Sequence, residues 1–559
     1  MCGFIFHKQL GKKNDIDKKL FKSASKLIVN RGPDNQTYQN ENEYNIFHAR
    51  LNIIDLKSRS NQPFKYKDLN IVYNGEIYNY KKLRKELEKN FSFKTTSDTE
   101  VLLASYIKWG EKMFDKLEGM FSFVIYNIKK NIVFFGRDLF GQKPLYYSIS
   151  KNELIFSSEI KPIIKLKKLK KINFNDKEIN KYLNFNYYGD SHTTFFKDIY
   201  QVKPGSYGYV KNNKIITKKI NSKLKLNNIN EKKIFDILKS EINLHLISDV
   251  EMGILISEGV DSKSILDISD KVFKKKLKLF NLEFENFDNT LFKKNYKDKY
   301  KKRIHSTILY KKEMLRYLDE ASSICEAPPL SLFTLGMIKL FRFIKKKKIK
   351  VTLNGQGIDE IFGGYHSIYK NIDRNKIYHP SGEILSKEKK IFLKKNLKQA
   401  KNKNNFKVIR YQMCFKNKIP KNLNQYDKIS MNSSIENRSP YLTKNLSSIM
   451  SKLKKHQLYK DKQTKKIFRD VMYKFTGNAF YHQKKIYEQA PQSGFMLNKS
   501  NYSNISKILK KNNYCDKYFY KKNLIVYFED FRLKKNNGFL IWQYLSLNSF
   551  INSFKKFNF

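Results

Sequence analysis

From residue 1 to about 215, apolar residues fall in short runs that end at turn formers. The runs "GFIFH", "NIFHARLNIID", "LNIVYN", "FSFVIYN", "NIVFFGRD", "LYYSI" and "ELIFSS" are rich in β-branched and aromatic side chains and predict strands. Two segments among them predict helices: "KKLRKELEKN", and "SDTEVLLASYIKWG" with its Ser/Asp cap and acidic first turn. Many strands with few helices predict stacked antiparallel sheets. "QVKPGSYGYVKNNKIITKKI" (201–220) predicts a closing hairpin, and the polar "NSKLKLNNIN" (221–230) a linker. The texture changes at 231. "EKKIFDILKSEINLHLI" has apolar residues at helical spacing. "MGILIS" predicts a buried strand leading into a loop and helix, "EGVDSKSILDIS". "KLFNLEFE" and "IKVTLNGQG" predict further strands beside helices, an alternation that indicates a parallel α/β sheet. The remainder, after 375, is mostly helical and Lys-rich.

The expected organisation is therefore two domains, 1–220 and 231–559, within the two to four that 559 residues suggest. The four cysteines are far apart and form no CxxC pair, which argues against a disulfide frame or zinc ribbon and fits a reducing cytoplasm. No signal pattern opens the chain and no apolar run reaches ~18 residues, so a soluble protein with no membrane insertion is expected. The net charge of +59 invites a nucleic-acid reading. Against it, 98 of the 111 basic residues are Lys and only 13 are Arg. The lysines are spread along the chain with abundant Asn, Ile, Phe and Tyr, as an A/T-rich codon bias would give, whereas phosphate and base readout favours the planar fork of Arg. No specific nucleic-acid partner is expected.

The chain begins "MCGFIF". Removal of the initiator Met would make Cys2 the N-terminus, with a thiol and a free α-amine on one residue. Such an amine ordinarily titrates near pH ~8 and can serve as base for the thiol's attack. Loops carrying polar groups follow at "RGPD", "HARLNIID", "YNGEIYN", "TTSDTE" and "GRDLFGQKPLYY". Singly these are ordinary turns and caps. With Cys2, in this order and spacing, they resemble the N-terminal-nucleophile glutaminase domain of class II glutamine amidotransferases, and in particular of the glutamine-hydrolysing asparagine synthetase family. The resemblance implies that Cys2 attacks the side-chain amide of glutamine. It implies that Arg50 holds the substrate's α-carboxylate, Glu76 and Asp98 meet its α-ammonium, and Ile53 lines the pocket. The Asn74 side chain and the Gly75 N–H would form the oxyanion hole.

Ammonia made from glutamine is normally used in a sheltered second site. "ILISEGVDSKS" (254–264) resembles the Ser-Gly-Gly-x-Asp-Ser pyrophosphate loop of enzymes that adenylate a carboxylate. Ser257, Gly259, Asp261 and Ser262 match, while Glu258 stands where glycine is usual and Lys263 where serine is. A carboxylate aimed into a phosphate pocket would repel its ligand. "LNGQGIDEIFGGYHSIY" (353–369) resembles a second family segment, in which Asn354 and Gly355 lie by the nucleotide and Asp359 and Glu360 near magnesium and substrate. Gln356 replaces a Glu linked to the acyl-adenylate. "YDKISMNSSIENRSPYL" (426–442) matches a third segment through Asp427, Ser430, Met431, Ser434, Glu436, Arg438 and Pro440, with Thr443 following where an aspartate is usual. "KKIFR" (465–469) matches a fourth, in which Lys465 stabilises charge during adenylation. By resemblance Ile256 and Leu282 flank the adenine, and Asp261 and Asp359 hold Mg²⁺.

The fold expected is an α+β N-terminal-nucleophile sandwich followed by an α/β parallel-sheet domain of the ATP-pyrophosphatase type with a helical C-terminal part. The activity expected is glutamine- and ATP-dependent amidation of an adenylated carboxylate, aspartate first, with release of AMP and pyrophosphate. Alternatives are another acceptor, such as a sugar acid in surface polysaccharide synthesis, or a glutaminase with a degenerate second domain. A homodimer is implied by the resemblance alone.

Overall fold

The computed structural model describes residues 2–11, 17–169, 172–186, 192–211, 213–221, 229–288, 290–366, 369, 406–416, 418–483 and 490–555. Most of the expected linker (222–228) and the Lys-rich stretch 370–405 lie outside the described residues.

The first half contains β1 (Cys2–Gln9), β2 (Asn35–Asn40), β3 (Tyr44–Arg50), β4 (Phe64–Tyr66), β5 (Leu69–Ile77), β6 (Gly119–Asn127), β7 (Ile132–Arg137), β8 (Tyr146–Ile149), β9 (Glu153–Ser157), β10 (Tyr200–Gln201), β11 (Ser206–Lys211) and β12 (Lys214–Lys219). They form two antiparallel sheets, ordered β10-β8-β9-β1-β3-β2 and β12-β11-β7-β6-β5-β4. Phe4, Phe6 and Ile46 from the first meet Val72, Val124 and Phe135 from the second in one apolar layer. On the outer faces, Phe21 and Ala24 of the helix Lys18–Ser25 cover the first sheet, and the helices Tyr80–Leu87 and Asp98–Trp109 pack into the core behind the second. The result is a four-layer α+β sandwich. The helix Asp98–Trp109 begins where its sequence says, with the Ser97 side chain accepting the Thr99 N–H at 3.0 Å.

"NIFHARLNIID" ends as a strand at Arg50, five residues before its expected end. The next turn brings Asp55 to φ 50°, and the carbonyls of Ile54, Asp55 and Lys57 turn inward onto the Arg50 guanidinium. An arginine that needs acceptors has overridden local β-propensity.

The second half holds a parallel sheet of β13 (Met252–Leu255), β14 (Lys278–Phe284), β15 (Ile304–Leu309), β16 (Val351–Leu353) and β17 (Glu436–Arg438), ordered β15-β14-β13-β16-β17. The loops after β13 and β16 emerge on the same edge, the usual ligand crevice of such sheets. Helices dominate the C-terminal part, ending with Phe539–Lys555, whose Phe550 packs on Phe174 of the first half. Among the described residues no helix is long and apolar enough to cross a membrane.

Buried charge pins the halves together. Arg31 donates to the Cys2 carbonyl (3.1 Å), to Glu159 (3.1 Å) and to Asp427 of the second half (2.8 Å). Lys143 reaches the other Asp427 oxygen at 3.1 Å. Asp427 is buried, yet Arg31 and Lys143 hold its carboxyl below the usual carboxylate range against the opposing effect of burial. Removing this anion takes the carboxylate from buried Lys143 and leaves Arg31 with Glu159 alone. Asp427→Asn is expected to destabilise the protein by about 3–5 kcal/mol, read by chemical denaturation. An unchanged unfolding midpoint would contradict this account of the interface.

Candidate functional site: two centres on one interface

The antiparallel register sets Cys2 opposite Arg50 across β1 and β3, and Asn74, Gly75 and Glu76 along β5 opposite Ser122, Phe121 and Met120 of β6. The Cys2 backbone N–H donates to Asn74 Oδ1 at 3.1 Å. That bond turns the Asn74 amide so that its Nδ2 hydrogens, fully buried, have no acceptor in the protein. A buried donor without a partner is costly, and here it belongs to the side chain that holds the Cys2 N–H. Gly75 is required sterically, because a Cβ there would sit 2.1 Å from the Met120 carbonyl oxygen.

Arg50 is buried, held by Lys57 O (2.8 Å), Asn61 Oδ1 (2.9 Å), Ile54 O (3.3 Å) and the carbonyl of Asp55. Ile53 is buried nearby, its carbonyl accepting the Asp249 N–H at 3.0 Å. Asp98 accepts from Tyr73 Oη (2.8 Å) and the Ile77 N–H (2.9 Å). Glu76 is buried 3.8 Å from the Arg438 guanidinium, which in turn pairs with Glu436 on β17. Burial, then repulsion from Glu436 and Asp98, pushes the Glu76 carboxyl well above the usual range. Glu76 and Glu436 thus share one arginine, with the Asp98 carboxylate adding like charge near Glu76.

In the second half, a cavity of about 310 Å³ opens at the sheet edge. Its apolar end is formed by Ile256, Leu282, Met337 and Leu340, its polar end by Asp261, Gln356, Asp359 and Glu360. Ser257 and Ser262 also line it, with the Ser257 N–H donating to Ser262 Oγ at 3.0 Å. Gly259 caps the helix Val260–Asp267 from extended backbone. Asn354 accepts the Gln356 N–H (2.9 Å) through Oδ1 and donates to the Arg438 carbonyl (2.9 Å) through Nδ2. Gly355 lies flat on Asp261, where a Cβ would come within 2.7 Å of the Asp261 Cβ.

Lys465, nearly buried, stands with Nζ 2.6 Å from both Asp261 and Asp359. Those two carboxylates with phosphate oxygens make the kind of donor set magnesium takes in nucleotide sites. Glu360, hydrogen-bonded by Tyr365, is pushed up to about 7 by burial and by Asp359. Glu258 and Lys263 do not line the cavity. Lys263 is buried against Asp267, which also accepts from Asn478 and Tyr481 (2.9 Å each). Neither departure from the phosphate-loop pattern contributes to the cavity's lining.

His48, Cys325, Cys414 and Cys515 are buried. Sequence reasoning assigned no role to Arg31, Lys143 or Glu241, and matched Glu436 and Arg438 only as parts of a segment. Asp427, which meets Arg31 and Lys143, and Asn445, which meets Glu241, lie far from them along the chain, so no local signal marks them.

Residues 1–220 match the family model of the glutamine amidotransferase domain, and residues 233–551 that of asparagine synthase. Over 390 residues the chain is 34% identical to asparagine synthetase [glutamine-hydrolyzing] 1 of Bacillus subtilis, covering 66% of this chain and 60% of that protein. It is 30% identical over 402 residues to a putative asparagine synthetase [glutamine-hydrolyzing] 2 of Methanocaldococcus jannaschii, covering 65% and 76%. It is 26% identical over 369 residues to amidase chry2 of Gibberella zeae, covering 61% and 54%.

Proposed function

The chain belongs to the asparagine synthase family, and from that premise we propose that it makes an amide from a carboxylate, ATP and glutamine. The division of labour follows 1–220 and 231–559. Cys2 attacks the glutamine amide, its own α-amine taking the thiol proton. Asn74 Nδ2 and the Gly75 N–H stabilise the oxyanion, collapse yields a thioester and ammonia, and water then frees glutamate. Arg50 fits the substrate carboxylate, and the acid cluster around Glu76 fits its ammonium.

The single observation that carries this half is the unpartnered, buried Asn74 amide. It is a donor held ready for charge that develops only during reaction, which is where such a group lowers a barrier. Glutamine binding should therefore release a proton. The empty cluster keeps a proton on a carboxyl raised by burial, and a bound ammonium favours the charged form, so the proton leaves. Calorimetry of Cys2→Ala in buffers of different ionisation enthalpy reads the effect near neutral pH, and it fades in acid. Proton uptake would contradict it.

In the second half, the carboxylate attacks the α-phosphorus of ATP, giving an acyl-adenylate and pyrophosphate. Ammonia then displaces AMP. Lys465 offsets charge building on the phosphates, and Asp261 and Asp359 would hold Mg²⁺, which when bound neutralises pyrophosphate. The Val260–Asp267 N-terminus adds backbone N–H groups. Aspartate is the first acceptor candidate. Gln356 at the polar end of the cavity, and a relative named as an amidase, favour a second reading in which another acid is amidated. ATP–pyrophosphate exchange across a panel of acids tests both. Exchange with aspartate is the expected result, exchange with another acid alone moves the acceptor, and no exchange with any acid rejects ATP chemistry.

A further inference from the structure

The helix Leu332–Lys346 carries a glycine in its second turn, Gly336, that its backbone does not require. Gly336 takes no positive φ, so any residue could adopt its conformation. Glycine inside a helix is less favourable than alanine, because it gives up more chain freedom on folding. What the position lacks is room. A Cβ on Gly336 would stand 2.5 Å from Leu282 Cδ2, 3.2 Å from its Cδ1 and 3.3 Å from its Cγ. These are the three nearest atoms, and all belong to one side chain.

Leu282 lies on β14, where strand alternation turns Phe280, Leu282 and Phe284 to one face. That face packs on the apolar cluster that includes Leu335, Met337 and Leu340 of the helix. Phe333, Met337 and Leu340 line the same cavity as Leu282, at three before, one after and four after Gly336. On the helix face that borders the cavity, the glycine is therefore a notch between larger side chains, and the tip of Leu282 is seated in it. Leu282 is half-buried, with the helix on one side and the cavity of about 310 Å³ on the other.

We infer that Gly336 is a positioning residue for the nucleotide: its notch holds Leu282 back and keeps the apolar end of the cavity open to a purine base. The inference rests on the proposed use of ATP at this site. A methyl group on residue 336 fills the notch. The atoms it meets are the far end of a flexible side chain, so Leu282 turns while helix and sheet stay in place, and the open direction is the cavity. The polar end, with Asp261, Gln356 and Asp359, is untouched. Binding of the base is weakened without loss of the chemical step. The fold keeps or gains stability, since alanine suits a helix better than glycine does. A glycine needed for packing alone would give the opposite result, a less stable protein with unaltered affinity.

Gly336→Ala in the full chain is the test. Calorimetric titration with ATP·Mg²⁺ is expected to show Kd raised about tenfold, as overpacking at a binding wall would give. In ATP–pyrophosphate exchange the KM for ATP should rise alike, with the rate at saturating ATP within about twofold of the parent. The thermal unfolding midpoint should be equal or higher, and glutamine hydrolysis unchanged. Leu282→Val shortens the side chain that occupies the notch. In that background Gly336→Ala should change the ATP Kd by less than about twofold, so the two substitutions are non-additive. An unaltered Kd in Gly336→Ala, or a tenfold rise that persists beside Leu282→Val, overturns the inference. A lowered unfolding midpoint overturns it too, by assigning the glycine to packing. Absence of both ATP binding and exchange in the parent chain counts instead against the proposed function.

Discussion

Cys2→Ala is expected to lower glutamine hydrolysis by roughly 10⁴–10⁶-fold, the scale on which losing a covalent nucleophile acts. The loss is confined to one centre. Amide formation from added ammonium continues, because the carboxylate, ATP and Lys465 are untouched. The substitution is gentle on the fold: Cys2 ends an edge-protected strand, and its backbone bonds to Asn74 and Arg31 involve no sulfur. A rate with glutamine within tenfold of wild type would remove the nucleophile from Cys2 and with it the role of the waiting Asn74 amide. Isotope tracing of the glutamine amide nitrogen separates the two supplies of ammonia in a single measurement.

Lys465→Met is the second large effect, expected to cut ATP–pyrophosphate exchange by at least about 10²–10³-fold, as for removal of one fixed charge that meets a developing anion. The structure adds a reason for a cation at this point. Without it, Asp261 and Asp359 face each other at the cavity's polar end, both within 2.6 Å of where the ammonium stood, and repel the phosphates as well as one another. Arginine is no substitute, since a Cβ on Gly364 would already sit 2.4 Å from the Lys465 Cε, so the neighbourhood admits nothing wider. Glutamine hydrolysis in Lys465→Met should stay near wild type. A parallel fall in both activities would mean that the lysine holds the interface instead of the phosphates.

Much of this was legible in the letters, for reasons that differ by element. The helix Asp98–Trp109 announces itself by a serine cap and acidic first turn, and β13 by a bare apolar run before a glycine-bearing loop. Strand β2, "NQTYQN", was not legible, because a polar edge strand carries no apolar alternation and exists through pairing with β3. The placing of Glu258 was equally closed to sequence: a glutamate in a phosphate loop reads as repulsion until the cavity's lining, which lacks it, is known. The charge network was least legible of all. Arg31 and Asp427 stand 396 positions apart, and nothing in "RGPD" foretells a partner in another half of the chain.

Strand β17 is only three residues long, yet Arg438 touches both centres: its carbonyl anchors Asn354 by the cavity of the second half, and its guanidinium faces Glu76. Such a residue limits what recombination can do with these halves. A fragment of the first 220 residues, grafted onto a new partner, would leave Arg438 and Glu436 behind together, and the new host would have to supply a matched pair of charges against Glu76.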